Sequence, residues 1–403
     1  MTSRDRTLLA GVVFAVLFAQ VVLYPGVPAL VEALDGTPAG WGGDAGAILA
    51  AGKWFLTAEF LGFVLFAGIW GAVSDSVGRR TPLVAAGAVL GALSYLALVV
   101  FPLPYAGVLV VRFLGGAATI GAFSLAITTL VDLDGGHGRN MGAAGIAIGL
   151  GTALGAPIGG QLYARGPFVP LVVAAGCMLG AGALALFVTE HSPGKSGRNP
   201  VAALAELRER PQLGLPYALG FIDRLTAGFF ALVGTVYFQT ELGLDAAGTG
   251  VLLGLFFGPF ALLQYPFGRL SDRIGRRIPV VLGSLVYGLT VIAVYLAPTV
   301  PATGAAMVVV GIFGAVVAPA TMALVSDMAS ETQRGTAMGG FNVFGSLGFL
   351  AGIVGGATVA ATYGFGVAFV AVGATEILIA LVAAPLLLEG DAVAQRDSDE
   401  KAV

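Results

Sequence analysis

The chain has 403 residues, of which 57% are hydrophobic and 11% are charged, and its mean hydropathy is +0.92. A soluble globular protein carries about 25% charged residues, so this chain has too few polar groups to cover a surface in water and belongs in a lipid bilayer. The net charge of −3 argues against nucleic acid as a partner. The single cysteine, Cys177, excludes a disulfide framework. The two histidines, His137 and His191, lie in polar segments, so we expect no metal site and no cofactor.

The N-terminal apolar run begins directly after two basic residues. Arg4 and Arg6 precede Leu8 to Leu30, and no A-x-A-like cleavage site comes before the following polar segment. A bilayer needs only ~20 apolar residues per span, so we interpret this run as the first transmembrane helix and not as a removed signal peptide.

Apolar runs of spanning length predict twelve transmembrane helices in two sets of six. A polar segment at 189–212 separates the sets, and its stretch from Ala202 to Arg210 has the pattern of an amphipathic interfacial helix. The predicted division is therefore an N-terminal bundle at 1–188, a linker, a C-terminal bundle at 213–390 and a disordered tail at 391–403. The predicted helices lie at 8–31, 47–73, 81–101, 104–131, 141–163, 167–188, 213–240, 247–268, 278–298, 301–327, 336–360 and 365–388.

Basic residues predict the orientation. With the N-terminus in the cytoplasm, sixteen Lys and Arg residues fall in cytoplasmic loops and tails, and only Lys53 and Arg165 fall in loops on the outer side. This bias follows the positive-inside rule. We therefore expect a multi-pass protein of a prokaryotic plasma membrane with both termini in the cytoplasm.

A charged turn between helices 2 and 3 recurs between helices 8 and 9. Gly71–Arg80 reads GAVSDSVGRR, and Gly268–Arg277 reads GRLSDRIGRR. Such charges are costly in hydrocarbon, which places both turns at a water face. Gly78 and Gly275 permit the sharp bend.

A second repeat follows helices 4 and 10, where Asp132 and Asp327 are each followed seven residues later by an arginine. Two six-helix units repeated in the same orientation are the architecture of one class of secondary transporters.

These motifs resemble those of the major facilitator superfamily over almost the whole chain. The resemblance implies an all-α membrane protein of two six-helix bundles related by a pseudo-two-fold axis. It also implies a switch, in which Asp75 contacts the start of helix 11 in the outward-open state while Arg79 pairs with Asp132. Asp272 and Arg276 invite the same interpretation, and the alternative for both turns is a solvated loop that only fixes the orientation of the chain. The switch residues are Gly71, Asp75, Gly78, Arg79, Arg80, Asp132, Gly268, Asp272, Gly275, Arg276 and Arg277.

Two further segments resemble signatures of this family. Helix 4 carries an arginine followed by small residues, Arg112–Gly116. Helix 5 resembles the signature of the drug/proton antiporter branch, although its proline comes one position later than that pattern expects. We expect the glycines of helix 5 to form a smooth face toward a helix of the other half. The signature residues are Gly151, Gly155, Pro157, Gly159 and Gly160, and Gly145 and Gly149 precede them.

Charged residues within spans need a partner or a water-filled cavity. By helical rise, Glu59 lies roughly 24 Å above the turn after helix 2, and Arg112 lies roughly 30 Å above the end of helix 4. The two are therefore expected to meet in the outer half of the N-terminal bundle. The resemblance favours Arg112 as a cavity residue, and the alternative for both is a structural ion pair.

In the C-terminal half, Asp223 and Arg224 lie near mid-depth on helix 7. They point about 100° apart, so one of them is expected to face the cavity that this helix lines in the family. Asp223 is the C-terminal candidate for proton coupling or for a cationic substrate. Glu376 on helix 12 is a weaker candidate, because that helix is usually peripheral. The alternative for Glu376 is a pair with a neighbouring helix or a snorkelled side chain.

Uncharged cavity candidates are fewer, and each has packing as its alternative. Pro25 and Pro28 also predict a bend in helix 1. The candidates are Gln20 and Tyr24 on helix 1, Gln264 and Tyr265 on helix 8, and Asn342 on helix 11.

We therefore predict a monomeric secondary transporter that works by alternating access and exports small, fairly apolar compounds in exchange for protons. The alternative within transport is a proton-coupled symporter or a uniporter that takes up a defined solute such as a sugar or an organic acid. A receptor or an enzyme on the same scaffold is a third class, but the sequence shows no nucleotide-binding loop, metal cluster or catalytic triad.

Overall fold

The computed structural model describes residues 2–35, 44–134, 137–190, 213–329 and 334–400. The regular structure of these residues is helical throughout, and twelve of their helical segments are long and apolar enough to cross a membrane. This confirms the predicted fold class. The predicted amphipathic helix from Ala202 to Arg210 lies outside the described residues.

The helices follow the predicted order, and we number them by span. In the N-terminal half they are α1 (Thr2–Val21, continued by Val27–Asp35), α2 (Ala45–Val77), α3 (Thr81–Val100), α4 (Tyr105–Asp132), α5 (His137–Tyr163) and α6 (Val169–Leu186). In the C-terminal half they are α7 (Gly214–Phe229, Phe230–Gly234 and Thr235–Thr240), α8 (Ala246–Ile274), α9 (Arg277–Leu296), α10 (Val300–Met328), α11 (Arg334–Tyr363) and α12 (Phe365–Glu400).

The first helix of each half is interrupted. In α1, a 3₁₀ turn at Tyr24–Gly26 has its proline at the first turn, which confirms the predicted bend. In α7, Phe230–Gly234 is a π-helical segment. The Thr235 hydroxyl donates to the carbonyl oxygens of Phe230 and Ala231, at 3.3 Å each, and so satisfies groups that the wider turn displaces.

The last helix is longer than predicted. Its span was predicted to end at 388, and α12 continues to Glu400. Ala392, Ala394 and Gln395 in the extension favour a helix even where the chain is polar.

The two halves repeat one packing scheme. In the N-terminal bundle, α1 packs on α5, α2 on α4 and α3 on α6. In the C-terminal bundle, α7 packs on α11, α8 on α10 and α9 on α12. Because each pair has its counterpart six helices later, the predicted pseudo-two-fold relation holds.

The repeated charged turns define one side of the molecule. Gly78 and Gly275 end α2 and α8 with φ angles of 72° and 87°, a region that side chains disfavour. We call the side that carries them the turn face and the opposite side the far face. At the far face, Asp44 and Asp245 cap α2 and α8 by accepting backbone N–H bonds from Gly46 and Gly248.

Candidate functional site

The two bundles meet toward the far face through α2 and α11. The rings of Phe60 and Phe349 stack with centroids 4.3 Å apart. Nearer the far face, Lys53 Nζ donates to Thr358 Oγ1 at 3.4 Å. A stacked pair of rings and a hydrogen bond are thus among the contacts that join these helices on that side.

A second contact joins the interrupted helices α1 and α7. Gln239 Nε2 donates to the carbonyl oxygen of Pro25 at 2.6 Å. The π segment of α7 adds Leu232, which packs against Gly52 of α2. The bend in α1 and the π segment in α7 therefore both lie at the contact between the halves.

Helices α5 and α8 touch over part of their length and then separate. Gly160 lies against Gly250, and Gly149 lies against Ala261. Gly145 is one turn closer to the turn face on the same side of α5, and a side chain placed there would meet open space. The bundles therefore diverge toward the turn face and enclose a space that opens on that side.

The glycines of α5 pack against two different helices. The sequence had predicted a single smooth face toward the other half, and this prediction is wrong. Gly151, Gly155 and Gly159 pack against α1 of the same bundle. Pro157 and Gly160 instead contact α8 of the other bundle. Because residues four apart share one helix face, the first three form a separate stripe.

The walls of the space carry few charges. Arg224 is 45% exposed and packs against Gly345 of α11, on the turn-face side of the stacked phenylalanines. Asn342 of α11 is exposed and Gln264 of α8 is partly exposed. Tyr265 is also exposed and carries the Arg269 guanidinium over its ring at 5.6 Å.

The helix 1 candidates do not line an open surface. Gln20 and Tyr24 are both buried. The ring of Tyr24 lies 6.5 Å from that of Phe349, centroid to centroid. Tyr24 therefore packs beside the stacked pair of phenylalanines that joins α2 to α11.

Glu59 and Arg112 form an ion pair inside the N-terminal bundle, which confirms that the two residues meet. Both side chains are only 2% exposed. The hydroxyl of Tyr95 on α3 donates to Glu59 Oε1 at 3.3 Å. The guanidinium of Arg112 lies 4.3 Å from the centre of the Phe55 ring. The pair is enclosed by α2, α3 and α4, so Arg112 does not face the space.

Glycines allow α2 and α4 to approach around this pair. A side chain at Gly116 would collide with the backbone of Glu59, and one at Gly62 would collide with the backbone of Phe113. The small residues after Arg112 therefore let the backbones of α2 and α4 touch, and this close approach encloses the ion pair.

The C-terminal bundle holds a different polar cluster. Asp223 is 7% exposed, and its Oδ2 lies 3.9 Å from Arg224 Nε. Its Oδ1 is buried without a hydrogen-bond partner among the described residues. Glu376 is 1% exposed and accepts a hydrogen bond of 3.3 Å from the Thr226 hydroxyl. Glu376 is thus enclosed between helices and does not snorkel.

At the first charged turn, the structure places Arg80 against Asp132 where the resemblance implies Arg79. Arg80 Nη1 lies 2.5 Å from Asp132 Oδ2. Arg79 is exposed and its Nε lies 3.9 Å from Glu190 Oε2. The backbone of α3 starts at this turn, and its rotation buries the second arginine and leaves the first in solvent.

Glu190 is a functional candidate that the sequence analysis missed. It follows α6 and accepts backbone N–H bonds from Arg80 at 2.8 Å and Thr81 at 3.2 Å. A carboxylate at the start of α3 is favoured by the helix dipole. Glu190 lies close to the start of α3 only because α6 packs beside α3, and no local sequence pattern indicates that packing.

The second turn keeps the implied pairing. Arg276 donates to both Asp272 and Asp327, the latter at 3.2 Å. Partial burial acts to lower its pKa, but the bonds to these carboxylates outweigh burial and raise the pKa of Arg276 above its usual value. Asp75 is exposed and forms no ion pair within the described residues, and the side chains that begin α11 lie outside them, so its contact there stays a prediction.

Asp5 and Arg6 tie the N-terminus to the same face through contacts that the sequence did not predict. Arg6 Nε donates to Asn140 Oδ1 at 2.7 Å. Asp5 accepts a backbone N–H bond of 3.3 Å from Thr189. The sequence held one signal of this contact, which is Asp5 between two arginines. Basic residues alone are enough to orient a first helix, so the carboxylate indicates a further role.

Among the described residues, no group of three or more His, Cys, Asp or Glu side chains is placed to hold a metal ion.

Comparison with known proteins finds relatives that are named as membrane transporters or drug-resistance proteins. The tetracycline resistance protein of class G from Vibrio anguillarum is 28% identical over 302 residues, which cover 72% of this chain and 76% of that protein. An uncharacterized MFS-type transporter of Methanocaldococcus jannaschii is 34% identical over 166 residues. That match spans 40% of this chain and less than half of the archaeal protein, 42%. A quinolone resistance transporter of Acinetobacter baumannii is 29% identical over 42% of this chain and 40% of that protein.

Solved structures share the fold. The human organic anion transporter MFSD10 superposes with a TM-score of 0.69 at 22% identity, over 95% of this chain and 99% of that one. A bacterial homologue of the lysosomal transporter Spinster, in an inward-facing occupied conformation, gives 0.75 at 11% identity over 97% of each chain. At these identities the likeness concerns the fold alone.

The sequence profile of the Major Facilitator Superfamily matches residues 9–236 and 216–402, so both bundles are covered. With twelve spans, the repeated packing and these relatives, the protein is a multi-pass membrane transporter and not an enzyme. The chain belongs to the Major Facilitator Superfamily.

Proposed function

We propose that this protein exports small, fairly apolar compounds in exchange for protons, by alternating access and as a monomer. It lies in a prokaryotic plasma membrane with its turn face and both termini in the cytoplasm. The basic residues on the turn face support this orientation. Two of its relatives are resistance proteins for tetracycline and quinolone, which supports export.

The space between the bundles is the observation that carries the proposal. It is closed toward the far face by Phe60 and Phe349 and opens toward the turn face below Gly149 and Ala261. In the proposed orientation this is the state that loads substrate from the cytoplasm. Its closure is aromatic and aliphatic, which suits apolar compounds. Arg224, the charged side chain that we place on its wall, lies beside Asp223 and therefore offers an anion little uncompensated positive charge.

Switching requires the contacts at the far face to open while the turn face closes. Those contacts consist of one ring stack, a few hydrogen bonds and glycine packing. Each is worth on the order of 1 kcal/mol, so substrate binding supplies enough free energy to shift the balance between the two states.

Proton coupling requires a carboxyl group that exchanges protons near the space. Asp223 meets this condition, because it is buried directly beside the exposed Arg224. Protonation there would release the arginine, and ionisation would restore the pair. The charge on the wall of the space would then follow the proton.

Transport in proteoliposomes tests this function. The purified protein is reconstituted with an acidic lumen or an acidic exterior, and uptake of ethidium, a tetracycline and D-xylose is measured against protein-free liposomes. Antiport predicts accumulation of ethidium and the tetracycline with an acidic lumen, whichever way the protein inserts. Accumulation of D-xylose with an acidic exterior would instead support uptake by symport and contradict export.

A further inference from the structure

We propose that Glu376 of α12 is a second coupling residue and that it shares a single proton with Asp223 of α7, in a site enclosed within the C-terminal bundle. This inference rests on the proposed exchange of protons for substrate. It differs from that proposal in placing the proton between two helices and not on one residue of the cavity wall.

The two carboxyl groups are brought together by α7. Asp223 and Thr226 are three residues apart, so they lie on one face of the helix. The Thr226 hydroxyl donates to Glu376 Oε1 at 3.3 Å. Asp223 and Glu376 interact electrostatically, and both are buried. One side of α7 therefore presents an acid and a hydroxyl to the acid of α12.

Helix α9 closes the site. A side chain placed at Gly288 would lie 2.9 Å from Cβ of Glu376, so the glycine admits α12 at this level. The neighbouring Tyr287 is buried and interacts electrostatically with both carboxyl groups. Asp223, Thr226, Tyr287 and Glu376 thus form one polar site, which we call the acid cluster.

The charges around the acid cluster do not balance if both acids are ionised. Arg224 is the one arginine or lysine of α7, and it lies 3.9 Å from Asp223 with nearly half of its side chain exposed. Elsewhere on the surrounding helices, the described charged residues are Arg277 and Asp327, which lie at the turn-face ends of α9 and α10. The described part of α11 adds none.

A second buried carboxylate would therefore lack a cation. An unpaired buried charge costs several kcal/mol, and two nearby carboxylates repel each other. One proton for the two acids removes one of the two charges and with it both costs, and Asp223 then provides the exit, because it borders Arg224 and the space.

One proton is exchanged per cycle. With a proton on each acid, the acid cluster is neutral. When Asp223 releases one proton to water in the space, the two acids share the proton that remains, the cluster carries a charge of −1 opposite Arg224, and Glu376 keeps its hydrogen bond from Thr226. When a proton returns from the other side of the membrane, the cluster is neutral again, and Arg224 is released to turn into the space.

Two measurements on the full-length protein in proteoliposomes test the proposal. Exchange of labelled tetracycline without a proton gradient reports substrate movement alone, and a lumenal pH dye reports protons moved per tetracycline. We expect Asp223→Asn and Glu376→Gln each to retain exchange but to lower proton movement by about 10²-fold. The double variant should lower it no further. The matched control is Glu241→Gln, an exposed acid at the far-face end of α7, which should leave proton movement unchanged.

Infrared spectroscopy separates this inference from the proposed export. The carbonyl stretch of a protonated carboxylic acid is followed against pH in the reconstituted protein without substrate. Glu376→Gln should remove a band, and Asp223→Asn should shift the pH at which that band titrates by about one unit or more. A band that titrates at an unchanged pH in Asp223→Asn would overturn the sharing, and full proton movement in Glu376→Gln would overturn the coupling role. If tetracycline is not exchanged but the bands behave as expected, only the export proposal fails.

Discussion

The buried charges of the two bundles contrast sharply, although the bundles repeat the same packing. In the N-terminal bundle, Glu59 is matched by Arg112 within the same enclosed site. In the C-terminal bundle, Asp223 lies beside one partly exposed cation, Arg224, whereas Glu376 accepts a hydrogen bond from the uncharged Thr226. The repeat therefore preserves which helices touch but not the chemistry placed between them.

This difference distinguishes buried charges that hold helices together from buried charges that can bind and release a proton. A fully enclosed ion pair holds both of its charges, because losing either one strands the other. A group of acids with too little positive charge is stable only if it carries a proton. The N-terminal pair is thus suited to holding α2, α3 and α4 together, while the acid cluster is suited to titration.

The largest predicted effect comes from breaking the N-terminal pair. Arg112→Met leaves the Glu59 carboxylate enclosed without its cation, and we expect a loss of about 3–5 kcal/mol in the free energy of unfolding. Thermal unfolding in detergent, with the intrinsic fluorescence of the protein as the signal, measures this loss. The double variant Glu59→Gln/Arg112→Met should recover most of it, since no charge is then stranded. If the double variant is as unstable as Arg112→Met, packing of the arginine and not the ion pair accounts for the loss.

The two charged turns should differ next. The Arg80 side chain is 2% exposed and pairs with Asp132, whereas that of Arg276 is 22% exposed and both of its acids are largely in solvent. We expect Arg80→Met to cost about 1.5–3 kcal/mol and Arg276→Met about 1 kcal/mol or less. The same unfolding measurement at low and high salt compares them. Equal losses in the two variants would contradict the asymmetry between Arg80 and Arg276.

The smallest predicted change in stability is that of Glu376→Gln, at about 1 kcal/mol or less. If Glu376 is neutral, glutamine keeps its shape and still accepts the hydrogen bond from Thr226. Unfolding midpoints measured at several pH values compare this variant with Glu59→Gln, which should be far more damaging. A loss as large as that of Glu59→Gln would show that Glu376 is ionised and would remove the contrast between the bundles.

Much of the N-terminal site was predictable from depth along the helices. Counting residues from the charged turn placed Glu59 and Arg112 at similar heights, and they meet. The same counting did not identify which arginine faces Asp132, because Arg79 and Arg80 are adjacent and differ only in direction around α3. Glu376 was undervalued for a related reason, since its partner Thr226 carries no charge and is 150 positions away.

The glycines of α5 show the same limit. The sequence predicted that they permit close helix contact, and all but Gly145 do. It did not show that Gly151, Gly155 and Gly159 serve α1 while Gly149 and Gly160 serve α8. That division depends on where two other helices lie around α5.

The sequence by itself determined the number of spans, their order, the internal repeat and the face that carries the charged turns. Each of these follows from the length, hydropathy and charge of a single segment in contact with lipid or water. Only the tertiary structure decided which buried charges are paired, which acid meets which hydroxyl, and where the bundles separate. The physical reason is that lipid is as apolar as the helix surfaces, so hydropathy sets the depth of a residue but leaves the rotation of its helix to packing and hydrogen bonds with neighbours.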